Sequence, residues 1–242
     1  MLPLSQNRRM IPQSMPVYRL TKEIIFPPPD HAEPDGLLAV GGDLSIERLL
    51  LAYQLGIFPW YGEGLPILWW SPDPRLVLEP GDFHASRRLQ QTLRKGRFQI
   101  TFDRSFAAVI LACATVPRRD QDGTWITGEM QQAYIRLHEV GYAHSVESWF
   151  EGNLVGGIYG VSLGRCFFGE SMFSYESDAS KAAMAVLIGH LAKWGFHMLD
   201  AQVTTRHMLS LGAKEMPRKV FLEKLRAAIK LPTIRGRWNV ES

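Results

Sequence analysis

The sequence predicts an α+β (mixed α/β) protein built on one central, twisted, mainly antiparallel sheet. Helical apolar patterns recur before Gly141, and the period becomes two from Ala143 onward. A long apolar helix and a lone buried strand follow that change. With 46% hydrophobic and 21% charged residues over 242, the composition is globular. The length suits a small domain joined to a larger one.

Patterned sequence begins only at Val17 and Tyr18, so residues 1–14 are read as a disordered extension. Residues 15–76 are expected to form a small N-terminal domain, 77–232 the main domain, and 233–242 a C-terminal tail. Pro27 to Pro29 reads as an extended, stiff segment. Ser45 can cap a helix whose Ile46, Leu49, Leu50 and Tyr53 share one face, and Gly56 can close it. Between Gly56 and Arg75 lie three tryptophans, four prolines and three glycines, which is turn and extended chemistry.

Ser86 opens a short helix stopped by Gly96, and Asp103 can cap a second helix through Ala114. Thr127 caps a third, whose Met130, Ala133, Tyr134 and Leu137 share an apolar face. Turns at Glu151–Asn153 and Leu163–Gly164 divide the next stretch into an antiparallel meander. Ser177 or Asp178 caps a long helix ended by Gly195, and a strand spans His197 to Val203. Thr205 caps a short helix ending at Gly212, and a last helix begins at Pro217.

The formal net charge is +3, which permits an anionic partner without demanding one. No run approaches the roughly 18 apolar residues of a membrane span, and the opening MLPLSQNRRM does not read as a secretory signal, since no apolar core follows Arg8–Arg9. Two cysteines, Cys113 and Cys166, stand apart without a CxxC pair, which fits a reducing compartment. The seven histidines show no paired metal-ligand spacing, so no metal site is expected. No phosphate-binding glycine loop and no nucleophile elbow occurs.

Four features could carry chemistry. Asp200 and Gln202 lie two apart in an otherwise apolar strand, so period two puts them on one face. They are either a satisfied structural pair or a pair that orients a nucleophile and handles its proton. Glu170 sits among aromatics, as a strand-end carboxylate or an anionic site for an ammonium or guanidinium group. Trp60, Trp69, Trp70 and Trp125 occupy loop-like stretches. Trp69 and Trp70 read as core plugs, whereas loop aromatics can also stack unpaired bases, at roughly 1–3 kcal/mol each. Arg87, Arg88, Arg94, Lys95 and Arg97 form a basic cluster that is a solvated helix face or a contact to nucleic-acid phosphates.

Longer motifs add a resemblance. GLLAVGGDLSIERLLLAYQLGIFPWY, ILWWSPDPR, GTWITGEM, AYIRLHEVGYAHSVESW, LVGGIYGV, GESMFS, ASKAA, LDAQV and SLGAKEMPR occur in that order, from about Phe26 to Arg218. Together they resemble the bacterial leucyl/phenylalanyl-tRNA–protein transferases. The resemblance implies a small N-terminal domain followed by an acetyltransferase-like (GNAT) domain. It also implies a cytoplasmic, monomeric aminoacyltransferase. Such an enzyme moves Leu or Phe, and less well Met, from aminoacyl-tRNA to proteins beginning with Arg or Lys. Those proteins are thereby marked for degradation by the N-end rule.

Under that resemblance Asp200 and Gln202 correspond to the catalytic pair, and Glu170 to a residue near the acceptor amine. Trp60 and Trp125 correspond to contacts with the terminal adenosine and its amino acid, with Tyr53 nearby. Phe167, Met172 and Leu199 correspond to walls of the amino-acid pocket. Leu187 stands where the family pattern has a pocket phenylalanine, Ile158 where it has methionine, and Thr205 where it has asparagine. The aminoacyl ester is already activated, so neither ATP, metal nor another cofactor is expected. An acyl-CoA N-acyltransferase would carry a glycine turn before its phosphate-binding helix, whereas SYESD precedes Ala179. A non-catalytic RNA-binding module would have no use for Asp200 and Gln202 in a buried strand.

Overall fold

The structure, a computed structural model, describes residues 17–117 and 124–239. The expected extension at 1–14 lies outside the described residues. The chain opens with β1 (Tyr18–Leu20), β2 (Leu37–Gly41), α1 (Ile46–Gln54), β3 (Phe58–Pro59) and β4 (Leu68–Trp70). These strands form a four-stranded sheet in the order β1-β2-β4-β3. Ser45 caps α1 by accepting from the Arg48 amide, and Gly56 leaves it with φ +72°. The triproline is not extended throughout, because Pro29 opens a single 3-10 turn at Pro29–His31. Proline's fixed φ suits that first position.

The rest of the chain supplies β5 (Arg75–Leu78), α2 (Arg87–Arg94), β6 (Gln99–Phe102), α3 (Phe106–Thr115) and α4 (Gly128–Glu139). Then come β7 (Ala143–Phe150), β8 (Asn153–Leu163), β9 (Cys166–Ser174), α5 (Ala179–Lys193) and β10 (Met198–Gln202). The chain continues through α6 (Arg206–Ser210), β11 (Lys214–Met216) and α7 (Arg218–Ile229). Seven strands form the larger sheet, in the order β11-β5-β10-β9-β8-β7-β6. Among the described residues of this sheet, only β10 and β9 pair in parallel. The mixed α+β architecture is therefore observed, and β5 at Arg75 already belongs to the larger sheet.

Alternation sorts the larger sheet's residues onto two faces. Val77, Tyr159, Val161, Phe168 and Met198 pack in one core with α1, α3, α4 and α7. Leu76, Leu78, Ile158, Phe167 and Leu199 pack in the other beneath α5. At the turn between β8 and β9, Gly164 has φ +56°, and a Cβ there would lie 2.3 Å from the Ala228 carbonyl oxygen. Only glycine fits that close approach.

Two expected caps are corrected. Ser105, not Asp103, precedes α3, and the Asp103 carboxylate is used across the fold instead. It accepts from the Ser145 amide at 2.8 Å and the Trp238 amide at 2.7 Å, and pairs with His144 Nδ1 at 2.8 Å. Asp178 precedes α5 in a left-handed conformation and makes no side-chain cap. Its carboxylate pairs with Arg88 and Lys181. In the stretch expected as a tail, Trp238 is buried and stacks on His144 at 3.8 Å.

Candidate active site

The site forms where the larger sheet opens. Parallel pairing of β10 with β9 ends at Asp200 opposite Phe168, and no backbone ladder joins the two strands beyond it. Side chains bridge the gap: Gln202 Nε2 donates to Glu170 Oε1 at 2.9 Å. Beside this bridge lies a cavity of about 320 Å³. Ile158, Met172, Met184, Leu199 and Met208 give it apolar walls, and Phe58 from β3 and Trp60 and Trp125 from the loops line it. Glu170 and Gln202 bring carboxylate and amide into that lining. A pocket mostly apolar with a few convergent polar groups is the usual form of a small-ligand site.

Glu170 is held from several elements at once. Tyr53 from α1 donates to its Oε1 at 2.8 Å, and Tyr134 from α4 donates to its Oε2 at 2.9 Å. The two phenols also contact each other. Burial pushes the Glu170 carboxyl from its ordinary 4.5 up to about 7, against the pull of these hydrogen bonds, and the nearby Asp200 charge adds to the rise. Both phenols are pushed well above 10, first by burial and then by the Glu170 charge.

This raised carboxyl has a consequence for stability. Between about 4.5 and 7 the folded protein binds the proton that the unfolded chain has released. Stability from this group therefore falls as pH rises through that window, and the cost is fully present above it. At about 1.4 kcal/mol per unit the penalty is roughly 3 kcal/mol. Urea unfolding of Glu170→Gln should show a larger gain over the parent at pH 8 than at pH 5. Equal differences at both pH values would contradict the assignment.

Asp200 and Gln202 depart from simple alternation. A register shift, a β-bulge, lies between them, and Gln202 has φ +63°. The bulge turns the Gln202 side chain to the cavity, whereas Asp200 is fully buried beside it. Arg75 grips Asp200 bidentately, at 2.8 Å through Nε and 2.7 Å through Nη2. Asp200 Oδ1 also accepts from the Gln202 amide at 2.9 Å, which holds the bulge in place. The Arg75 guanidinium lies over Phe58 and Phe221 and donates to the Gly56 carbonyl.

The structure thus brings Trp60, Trp125, Glu170, Met172, Leu199 and Gln202 to one cavity. Tyr53 stands behind it on Glu170, and Asp200 behind it on Gln202. Phe167 and Leu187 are fully buried in the core layer under its walls rather than at its surface. The basic cluster is exposed on and just beyond α2. Arg88 pairs with Asp178 and Arg97 with Glu176. The sequence alone does not mark Tyr134, Arg75, Met184, His207 or Met208 as residues of this site. A tyrosine on the apolar face of α4 was the available signal, because a buried phenol needs a partner. Arg75 opens an apolar strand, and nothing local points to Asp200, 125 positions away.

Known proteins carry similar sequences. Residues 77–226 match the leucyl/phenylalanyl-tRNA protein transferase family, and residues 42–73 match that family's N-terminal domain. The chain belongs to this family. It is 60% identical over 214 residues to the leucyl/phenylalanyl-tRNA–protein transferase of Syntrophotalea carbinolica, covering 88% of this chain and 93% of that one. It is 59% identical to the same-named protein of Desulfatibacillum aliphaticivorans, covering 94% and 98% of the two chains. As a leucyl/phenylalanyl-tRNA–protein transferase, the chain is an enzyme that transfers aminoacyl groups from tRNA to protein. Among solved structures it has a faint likeness to L-PGS from Bacillus licheniformis, at 12% identity and a TM-score of 0.35 over 83% of this chain and 66% of that one. No helix among the described residues is long and apolar enough to cross a membrane.

Proposed function

We propose that this transferase moves Leu and Phe, and less readily Met, from aminoacyl-tRNA to the N-terminal Arg or Lys of acceptor proteins, marking them for N-end rule degradation. It would act as a monomer in the cytoplasm, through an N-terminal domain and an acetyltransferase-like one. The observation that carries the reading is the apolar cavity with Glu170 and Gln202 in its lining, flanked by Trp60 and Trp125. Unbranched or γ-branched side chains fill such a cavity, whereas a β-branch stiffens the chain next to the ester. Discrimination of that kind is modest, about 1–3 kcal/mol per methylene. Trp60 and Trp125 would stack on the terminal adenosine.

The chemistry follows from the orientation of one amide. Gln202 Nε2 points at a carboxylate, the only orientation in which the amide donates there, so Oε1 is the free acceptor. That oxygen would take a hydrogen bond from the attacking amine and aim its lone pair at the ester carbon. Asp200 would act through the Gln202 backbone as a positioning residue, since it does not line the cavity.

Incubation with labelled Leu-tRNA and a peptide beginning with Arg tests the reading: label should move to the peptide. Binding of the tRNA without transfer would refute it. The exposed α2 cluster would meet the tRNA backbone, so affinity should fall steeply between low and physiological salt, and less steeply in an Arg87→Ala/Lys95→Ala variant. An unchanged salt slope in that variant would remove the cluster from the interface.

A further inference from the structure

Three side chains, Glu170, Tyr53 and Tyr134, share fewer protons than contacts. Tyr53 reaches Oε1, Tyr134 reaches Oε2, and the two phenols touch each other. A phenol has one proton to donate and a carboxylate none. With Glu170 ionised, two protons therefore serve three contacts. If both phenols donate to the carboxylate, two oxygens face each other with no proton between them. If one phenol turns to the other, a buried carboxylate oxygen loses a donor.

One added proton removes the deficit. Glu170 Oε1–H donates to Tyr53, Tyr53 donates to Tyr134, and Tyr134 donates to Oε2, so a ring closes with every contact filled. Gln202 Nε2 can go on donating to Oε1 in either state. The cluster is therefore built to hold one proton more or less without moving a heavy atom.

We propose that this triad is the proton acceptor of the transfer reaction: Glu170 takes a proton from the acceptor's α-ammonium, and Tyr53 and Tyr134 close the ring that holds it. The proposal rests on the transfer reading above. Glu170 lines the cavity, and its carboxyl is held at about 7, against about 8 for a free α-amino group. Transfer between groups so matched is efficient near neutrality. The titratable groups facing Glu170 are Tyr53 from α1, Tyr134 from α4, and Asp200 from β10, the last countered by Arg75 from β5. Tyr159 from β8 packs edge-on behind Tyr134.

The proton count closes. The ammonium gives its first proton to Glu170, and the freed amine attacks the ester carbon. The C–N bond forms, and the bond from carbon to the ribose oxygen breaks. Of the two protons the nitrogen loses, one ends on the ribose oxygen and the other passes to solvent, so Glu170 finishes ionised.

The test is the pH profile of kcat/KM for an Arg-initiated peptide. Tyr53→Phe and Tyr134→Phe each remove a donor to the ionised Glu170 carboxyl, so each should move the acid limb upward. Glu170→Gln should slow this acceptor by about 100-fold or more, and should slow far less an aminooxy peptide, whose nucleophilic nitrogen is already unprotonated. An infrared carboxylic-acid band titrating near neutrality in the parent should be absent from Glu170→Gln, and this readout does not depend on activity. An unmoved limb with normal transfer overturns the proposal alone. So does an equal loss with both nucleophiles, or a missing infrared band. A parent enzyme that transfers nothing at any pH overturns the transfer reading with it.

Discussion

Arg75→Met is expected to lower the unfolding free energy by about 3–5 kcal/mol, because it strands the fully buried Asp200 carboxylate without its counter-charge. Methionine keeps the aliphatic stem but also gives up the guanidinium's contacts with the Phe58 and Phe221 rings and the Gly56 carbonyl, a smaller cost than the stranded charge. The double variant Arg75→Met/Asp200→Asn removes both charges and leaves an oxygen to accept from the Gln202 amide. It should recover most of the loss. Urea unfolding checks both variants. A double variant no more stable than Arg75→Met would mean that the ion pair is not what the single change destroys.

Gln202→Ala is expected to lower kcat by roughly 10²–10⁴-fold with a much smaller change in KM for the aminoacyl-tRNA. The substitution removes the side-chain amide from the cavity lining while leaving its apolar walls intact. Gln202→Asn separates arm length from backbone effects. Asparagine tolerates the left-handed φ of +63°, and the shorter arm no longer reaches both Glu170 and the amine. It should also lose activity, with its unfolding midpoint close to the parent's. Parental turnover in either variant would sink the role given to Gln202.

Much of the fold was legible because its signals are local. Ser45, Ser86, Thr127 and Thr205 each cap the helix they precede. The meander's turns lie where glycine stands in left-handed backbone, at Gly152 and Gly164. Local rules failed where a polar side chain had a distant partner. Asp103 has the spacing of a cap, yet its carboxylate satisfies the Ser145 and Trp238 amides and His144. Those buried groups would otherwise be unpaired, at a larger cost than an uncapped helix end. Leu187 and Phe167 have the apolar character of pocket walls, but side-chain type alone cannot say which layer of a core a residue occupies.

The sequence by itself determined the α+β class, the family, and the candidate set of Asp200, Gln202, Glu170 and the loop tryptophans. Helix periods, strand alternation and long ordered motifs are written along the chain. Only the tertiary structure decided how those candidates divide their places. A β-bulge turned Gln202 to the cavity, Arg75 drew Asp200 into a buried ion pair, and two phenols from separate helices closed on Glu170. Each of these depends on groups tens of residues apart meeting in a medium of low dielectric, where an unpaired charge or hydroxyl is costly. A linear pattern carries no record of which partner will answer it.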